Sequence, residues 1–160
     1  MDIFEYALAK EKKAEEFYRQ LCENTGSKGL KTIFGYLADE ESKHYQAIEK
    51  MRSSKSETYQ SDILDRVQGV FTKKGRQDEF GESDSEELQI YCKGRELEKK
   101  SRDFYLQKAE QAQSEGVKNI FLQLAEEEKK HYMILDNIID FVSRPQQWLE
   151  NAEFFHLEEY

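Results

Sequence analysis

Two short segments, Glu41-Ser42-Lys43-His44 and Glu128-Lys129-Lys130-His131, carry the residue types best suited to chemistry. A carboxylate and an imidazole three residues apart share one face of a helix, so both can reach a single metal ion. The offset that carries Glu41 onto Glu128 also carries Glu11 onto Glu98 and Tyr18 onto Tyr105. A lone Glu-x-x-His has little weight in a chain with 33 Asp and Glu. Two copies at one offset, using two of only three histidines, are much harder to explain as satisfied core groups. His156 lies outside the repeat and reads as a surface or tail residue.

The elements that would position these groups follow from a duplication. Residues 27 to 34 match residues 114 to 121 without a gap, and the similarity extends over about 4–51 and 91–138. Each copy reads as a helical hairpin, with Asn24 to Ser27 and Gln113 to Gly116 as the short connections between antiparallel neighbours. In the second helix Leu30, Phe34, Leu37, Glu41, His44, Ile48 and Met51 recur at steps of three and four, which is one inward seam. Val117, Phe121, Leu124, Glu128, His131, Leu135 and Ile138 repeat that seam in the fourth helix. Ala7, Glu11, Ala14, Tyr18 and Leu21 line the first helix, and Gly94, Glu98, Ser101, Tyr105 and Ala109 the third.

Four carboxylates and two imidazoles therefore converge on the axis of an all-α four-helix bundle. Unpaired buried ions cost several kcal/mol each, so something positive must sit among them. No Lys or Arg occupies the matching positions, whereas two divalent cations would neutralise four glutamates with both imidazoles neutral. Oxygen and nitrogen ligands without thiolate suit iron or manganese better than a structural zinc site, although zinc could substitute. Iron would bring redox chemistry. Tyr18 and Tyr105, two turns beyond Glu11 and Glu98, read as core residues with a hydroxyl bonded to a carboxylate, with a redox role as the alternative.

The remaining chain sets bounds. Its 160 residues fit one domain, 1–160, and one Pro, eight Gly and 36% charged residues favour helix. A net charge of −9 argues against a nucleic-acid surface and against an acidic membrane, both of which need clustered cations. Charge runs such as Glu126 to Lys130 read as a solvated helix face. Nothing approaches a membrane span, and Met1 to Glu5 does not open a secretory signal. Cys22 and Cys92 are isolated, so no disulfide framework or Cys-rich metal site is expected, and reduced thiols fit a cytoplasmic protein. Residues 52–85 form a long crossover containing an amphipathic pattern at Ile63, Leu64, Val67, Val70 and Phe71, and Ser83 with Glu86 reads as a capping box that opens the third helix of the bundle. The tail, 145–160, carries Trp148, Phe154 and Phe155 and is expected to pack back on the bundle.

Glu-x6-Tyr on helices one and three, with Glu-x-x-His on two and four, is similar to the ferritin-like superfamily. Glu11 to Tyr18, Glu40 to His44 and the tail Trp148 to Phe154 resemble its rubrerythrin-related branch, so the likeness covers almost the whole chain. That resemblance implies a di-iron centre reacting with hydrogen peroxide or dioxygen, with Glu41 and Glu128 as bridges and Glu11, His44, Glu98 and His131 as terminal ligands. Two departures stand out. Rubrerythrins carry an additional Glu three residues after the third-helix ligand, where this chain has Ser101, with Ala14 as its counterpart. They also carry a Cys-rich rubredoxin module, which this sequence lacks, so electrons would come from a separate donor protein or small reductant. The leading expectation is a di-iron oxidoreductase. An iron-handling protein with ferroxidase duty and a metal-stabilised interaction module are the alternatives. A homodimer is expected, and the long crossover would permit exchange of a hairpin between chains.

Overall fold

The computed structural model describes residues 2–53, 61–72 and 85–143. Among them are five helices: α1 (Ile3–Asn24), α2 (Lys28–Arg52), α3 (Ile63–Thr72), α4 (Ser85–Gln111) and α5 (Glu115–Ser143). The helix starts are written locally. Asp2 Oδ1 accepts from Glu5 N at 2.8 Å. Ser27 Oγ accepts from Leu30 N at 3.1 Å, and its repeat counterpart Ser114 Oγ accepts from Val117 N at 3.2 Å. Each satisfies one amide that has no partner within its own helix. The Ser83 capping box and the tail with Trp148, Phe154, Phe155 and His156 lie outside the described residues.

α1 packs along α2 and α4 along α5, giving the two expected hairpins of an all-α ferritin-like bundle. The seams read from sequence face inward. Every member on α2 and α4 is buried, with only Ala14 on α1 and Val117 on α5 half-buried. The apolar core is split in two. One cluster gathers Leu30, Phe34, Leu37, Tyr91, Leu135 and Ile138, and the other gathers Ala7, Ile48, Met51, Ala109, Phe121 and Leu124. The layer of glutamates and histidines lies between them along each seam, so the site is sealed at both ends by close-packed hydrocarbon.

Among the described helices, α3 is the one without a counterpart in the duplication. It lies against α2 and α5 and buries Ile63, Val67, Val70 and Phe71, the stripe expected from sequence. Phe71 stacks edge-on to Phe141 at 5.0 Å, and the Arg66 guanidinium lies 4.3 Å from the centre of the Tyr36 ring. The start of α3 is pinned by a second, unanticipated pair of repeat-related carboxylates. Ser61 Oγ donates to Glu40 Oε1, and Ser61 N donates to Glu127 Oε1 at 3.2 Å. Ser61 Oγ in turn accepts from Ile63 N at 3.1 Å. Lys130 Nζ reaches both Glu127 Oε1 at 3.0 Å and Ser61 O at 3.2 Å.

Glu127 is only 2% exposed, which corrects the reading of Glu126 to Lys130 as a solvated face. α3 covers part of that face, and Lys130 supplies the compensating charge. No described helix is long and apolar enough to cross a membrane.

Replacing Ser61 with Ala would leave Glu40 buried without its hydroxyl donor and α3 without its first cap. Unfolding in urea should show a loss of about 1.5–3 kcal/mol, the usual contribution of a hydrogen bond to a charged group. An unchanged midpoint and slope would show that Ser61 does not anchor the crossover.

Candidate metal centre

Each long helix contributes one carboxylate to the bundle axis: Glu11 from α1, Glu41 from α2, Glu98 from α4 and Glu128 from α5. His44 and His131 lie one turn beyond the carboxylates of α2 and α5. None of the six is more than 3% exposed. They form two groups that could each hold a metal ion, Glu11–Glu41–His44–Glu128 and Glu41–Glu98–Glu128–His131. Within each, one ligand atom per residue lies within 4.8 Å of the others. Glu41 and Glu128 belong to both groups, and they are the residues that the family resemblance puts between two metals.

The imidazole rings stack nearly parallel, 5.4 Å apart with an interplanar angle of 8°. Nδ1 of each faces the carboxylates. His44 Nδ1 lies 3.1 Å from Glu128 Oε1, 3.4 Å from Glu11 Oε2 and 3.5 Å from Glu41 Oε2. His131 Nδ1 lies 2.9 Å from Glu41 Oε1 and 3.5 Å from Glu98 Oε1. The tyrosines cross between repeats. Tyr18 Oη on α1 donates to Glu98 Oε1 on α4, and Tyr105 Oη on α4 donates to Glu11 Oε1 on α1. The carboxylate bond was expected. Its partner in the opposite hairpin is set by tertiary packing, because Glu11 and Tyr18 share a helix face without bonding to one another.

The charges perturb each other strongly. Burial, followed by the charges of Glu11 and Glu98, raises the Glu41 carboxyl to about 8. Burial and the neighbouring Glu41 and Glu98 push Glu128 well above its usual range. Burial opposes ionisation of Glu98, but hydrogen bonding with Glu128 and the His131 charge outweigh it and hold Glu98 down at about 2. Burial would likewise lower His131, yet Glu98 and Glu41 lift it to about 10. His44 is raised well above its ordinary value because Glu11 overcomes burial.

A site that draws protons this strongly lacks positive charge. Glu11 Oε2, Glu41 Oε2 and Glu98 Oε2 are buried without a hydrogen-bond partner, although buried polar atoms are normally satisfied. Unpartnered carboxylate oxygens that converge beside two imidazole Nδ1 atoms fit a pair of divalent cations, which would supply the missing partners and the missing charge.

A cavity of about 200 Å³ opens between α1 and α4, with Tyr18, Glu98 and Glu128 at its buried inner end. Lys10 and Ser101 line it as well, joined by a 2.7 Å hydrogen bond from Lys10 Nζ to Ser101 Oγ. Lys10 carried no sequence signal as a site residue. Its position outside the inward seam of α1 hid it, and only the packing of α4 beside α1 brings it to Ser101.

The helical bundle and its carboxylate and histidine layer define a ferritin-like protein. A family model, Rubrerythrin, matches residues 2–139, and a second match covers residues 93–153. The chain belongs to the rubrerythrin family, which implies a di-iron site. No curated protein and no solved structure matches it.

The pH dependence of the metal-free protein follows from these shifts. Stability falls with rising pH wherever the folded state binds more protons than the unfolded chain. Glu41 does so between its ordinary 4.5 and about 8, and His131 between 6.5 and about 10. Glu98, depressed to about 2, contributes a constant amount once pH exceeds its ordinary 4.5. The melting temperature of metal-free protein should therefore drop steadily from pH 5.5 to pH 9. Glu41→Gln should flatten that drop. Because bound metal displaces the same protons, the rise in melting temperature on adding divalent metal should grow with pH. A pH-independent melting temperature would contradict the charge arrangement described.

Proposed function

We propose that this protein is a di-iron oxidoreductase that reacts with hydrogen peroxide or dioxygen and serves in oxidative-stress defence. The observation that carries the reading is the pair of four-residue groups sharing Glu41 and Glu128. In this reading Glu41 and Glu128 would each serve both metals, Glu11 with His44 and Glu98 with His131 would hold the two ends, and iron would be the native metal. A reduced iron pair held there would supply the two electrons that reduction of a peroxide requires.

The chain's own residues do the rest. Tyr18 and Tyr105 fix one oxygen of Glu98 and of Glu11, and the second oxygen of each is buried without a hydrogen bond. Such outer partners orient ligands and hold a proton at a defined atom. The apolar clusters above and below keep water from the two ends of the site, which strengthens the electrostatic interactions there. The cavity between α1 and α4 offers a small oxidant a path to Glu98 and Glu128. Electrons would enter from a separate donor protein.

Anaerobic ferrous loading followed by desalting and elemental analysis should give about two irons per chain, as expected of two carboxylate-bridged sites. The His44→Leu, His131→Leu double variant should lose most of that iron while keeping its far-ultraviolet circular dichroism. Stopped-flow mixing with peroxide should then oxidise the bound ferrous iron faster than free ferrous ion under the same conditions. Tyr18→Phe should lower metal affinity or oxidation rate about 10–100-fold. Loaded iron that oxidises no faster than free ion sinks the oxidoreductase reading, and iron that leaves during turnover points to iron handling instead.

A further inference from the structure

We propose that the cavity between α1 and α4 is a binding pocket for a small organic hydroperoxide, whose hydrocarbon group it holds while the O–O end reaches Glu98 and Glu128. This inference rests on the oxidoreductase reading and gives it a substrate class. Its first support is size. A cavity of about 150 Å³ with apolar walls accommodates benzene, whereas a water molecule occupies about 30 Å³ of liquid. At about 200 Å³ the cavity far exceeds what hydrogen peroxide needs.

The second support is chemical polarity along its length. Ala14, Phe17, Gly94 and Leu97 present mostly carbon to the cavity. Gly94 makes room for this wall. A Cβ there would lie 2.8 Å from Phe17 Cε1, so the missing side chain lets the Phe17 ring lie back against α4. The repeat counterpart of Gly94 is Ala7. Tyr18, Glu98 and Glu128 are fully buried at the inner end, and Leu97, 45% exposed, stands at the outer one. Between them, Ser101 Oγ accepts from Lys10 Nζ, which leaves the Ser101 hydroxyl proton available for a peroxide oxygen. An alkyl or aryl hydroperoxide matches this sequence of surfaces: carbon against the wall, oxygen toward Ser101 and the carboxylates.

The reaction balances as ROOH + 2 H⁺ + 2 e⁻ → ROH + H₂O. The O–O bond breaks, each of two ferrous ions gives up one electron, and the protons come from solvent. Ser101 is a specificity-determining residue in this scheme and Ala14 a wall residue.

The probe is 2-phenyl-2-propanol, the alcohol formed from cumene hydroperoxide, titrated into zinc-loaded full-length protein while the amide resonances of Ala14, Leu97 and Ser101 are followed. Saturable shifts at all three are expected. Ala14→Leu should fill the wall and weaken binding about tenfold, within the range for one or two methylenes in an apolar pocket. Leu97→Trp, at a half-exposed position that tolerates bulk, should narrow the mouth and weaken it too, whereas Leu122→Ser on an exposed face should not. In ferrous protein Ala14→Leu should slow oxidation by cumene hydroperoxide about tenfold and leave oxidation by hydrogen peroxide within about twofold. Absence of saturable shifts, or equal binding by Ala14→Leu, overturns the pocket whatever the iron does. Probe binding with no oxidation by either peroxide instead overturns the oxidoreductase reading, and hydroperoxide as substrate with it.

Discussion

Four glutamates buried in one layer of the bundle are the constraint to which the rest of this structure answers. Their mutual repulsion, in a medium that screens charge poorly, opposes folding unless protons or cations are taken up. The raised Glu41, Glu128, His44 and His131 follow from that balance: the site gathers protons because, among the described residues, no Lys or Arg lies inside it. Such an arrangement sacrifices stability of the metal-free state for an interior that gains most from binding divalent metal. The apolar clusters on either side make the exchange feasible, since they hold the four helices in place while the central layer is under electrostatic stress.

The hairpins are bound to each other by polar contacts through that layer as well as by packing. Tyr18 of the first hairpin holds Glu98 of the second, and Tyr105 of the second holds Glu11 of the first. His131 reaches Glu41 across the repeat in the same way. A duplicated sequence has thus produced a reciprocal arrangement in which neither half completes a metal-binding group alone. Both groups draw on Glu41 and Glu128, one from each hairpin.

Symmetry is broken in two places, and both bear on function. α3 covers only the α2 and α5 face, where the buried Glu40 and Glu127 receive Ser61 and turn duplicated carboxylates into an anchor for an unduplicated element. On the opposite side nothing among the described residues covers the seam between α1 and α4. There the differences between repeat counterparts, Gly94 against Ala7, Ser101 against Ala14 and Leu97 against Lys10, shape the cavity that reaches the Glu98 half of the site. The centre is covered on one side by α3 and approachable from the other.

The sequence by itself determined the four long helices, their inward seams, the carboxylate and histidine layer and the amphipathic stripe of α3. All of these are written in periodicity and duplication, which depend on local geometry: residues three or four apart share a helix face whatever lies beyond it. Tertiary structure alone decided which hairpin each tyrosine serves, because Glu11 and Glu98 are equivalent by spacing and only the crossing of α1 and α4 selects between them. It also decided that Glu127 is buried, since a charged run looks solvated until α3 is laid over it. The cavity was illegible for the same reason. Lys10, Ser101 and Gly94 acquire a common surface only when two helices far apart in sequence come together, and no local pattern encodes the space left between them.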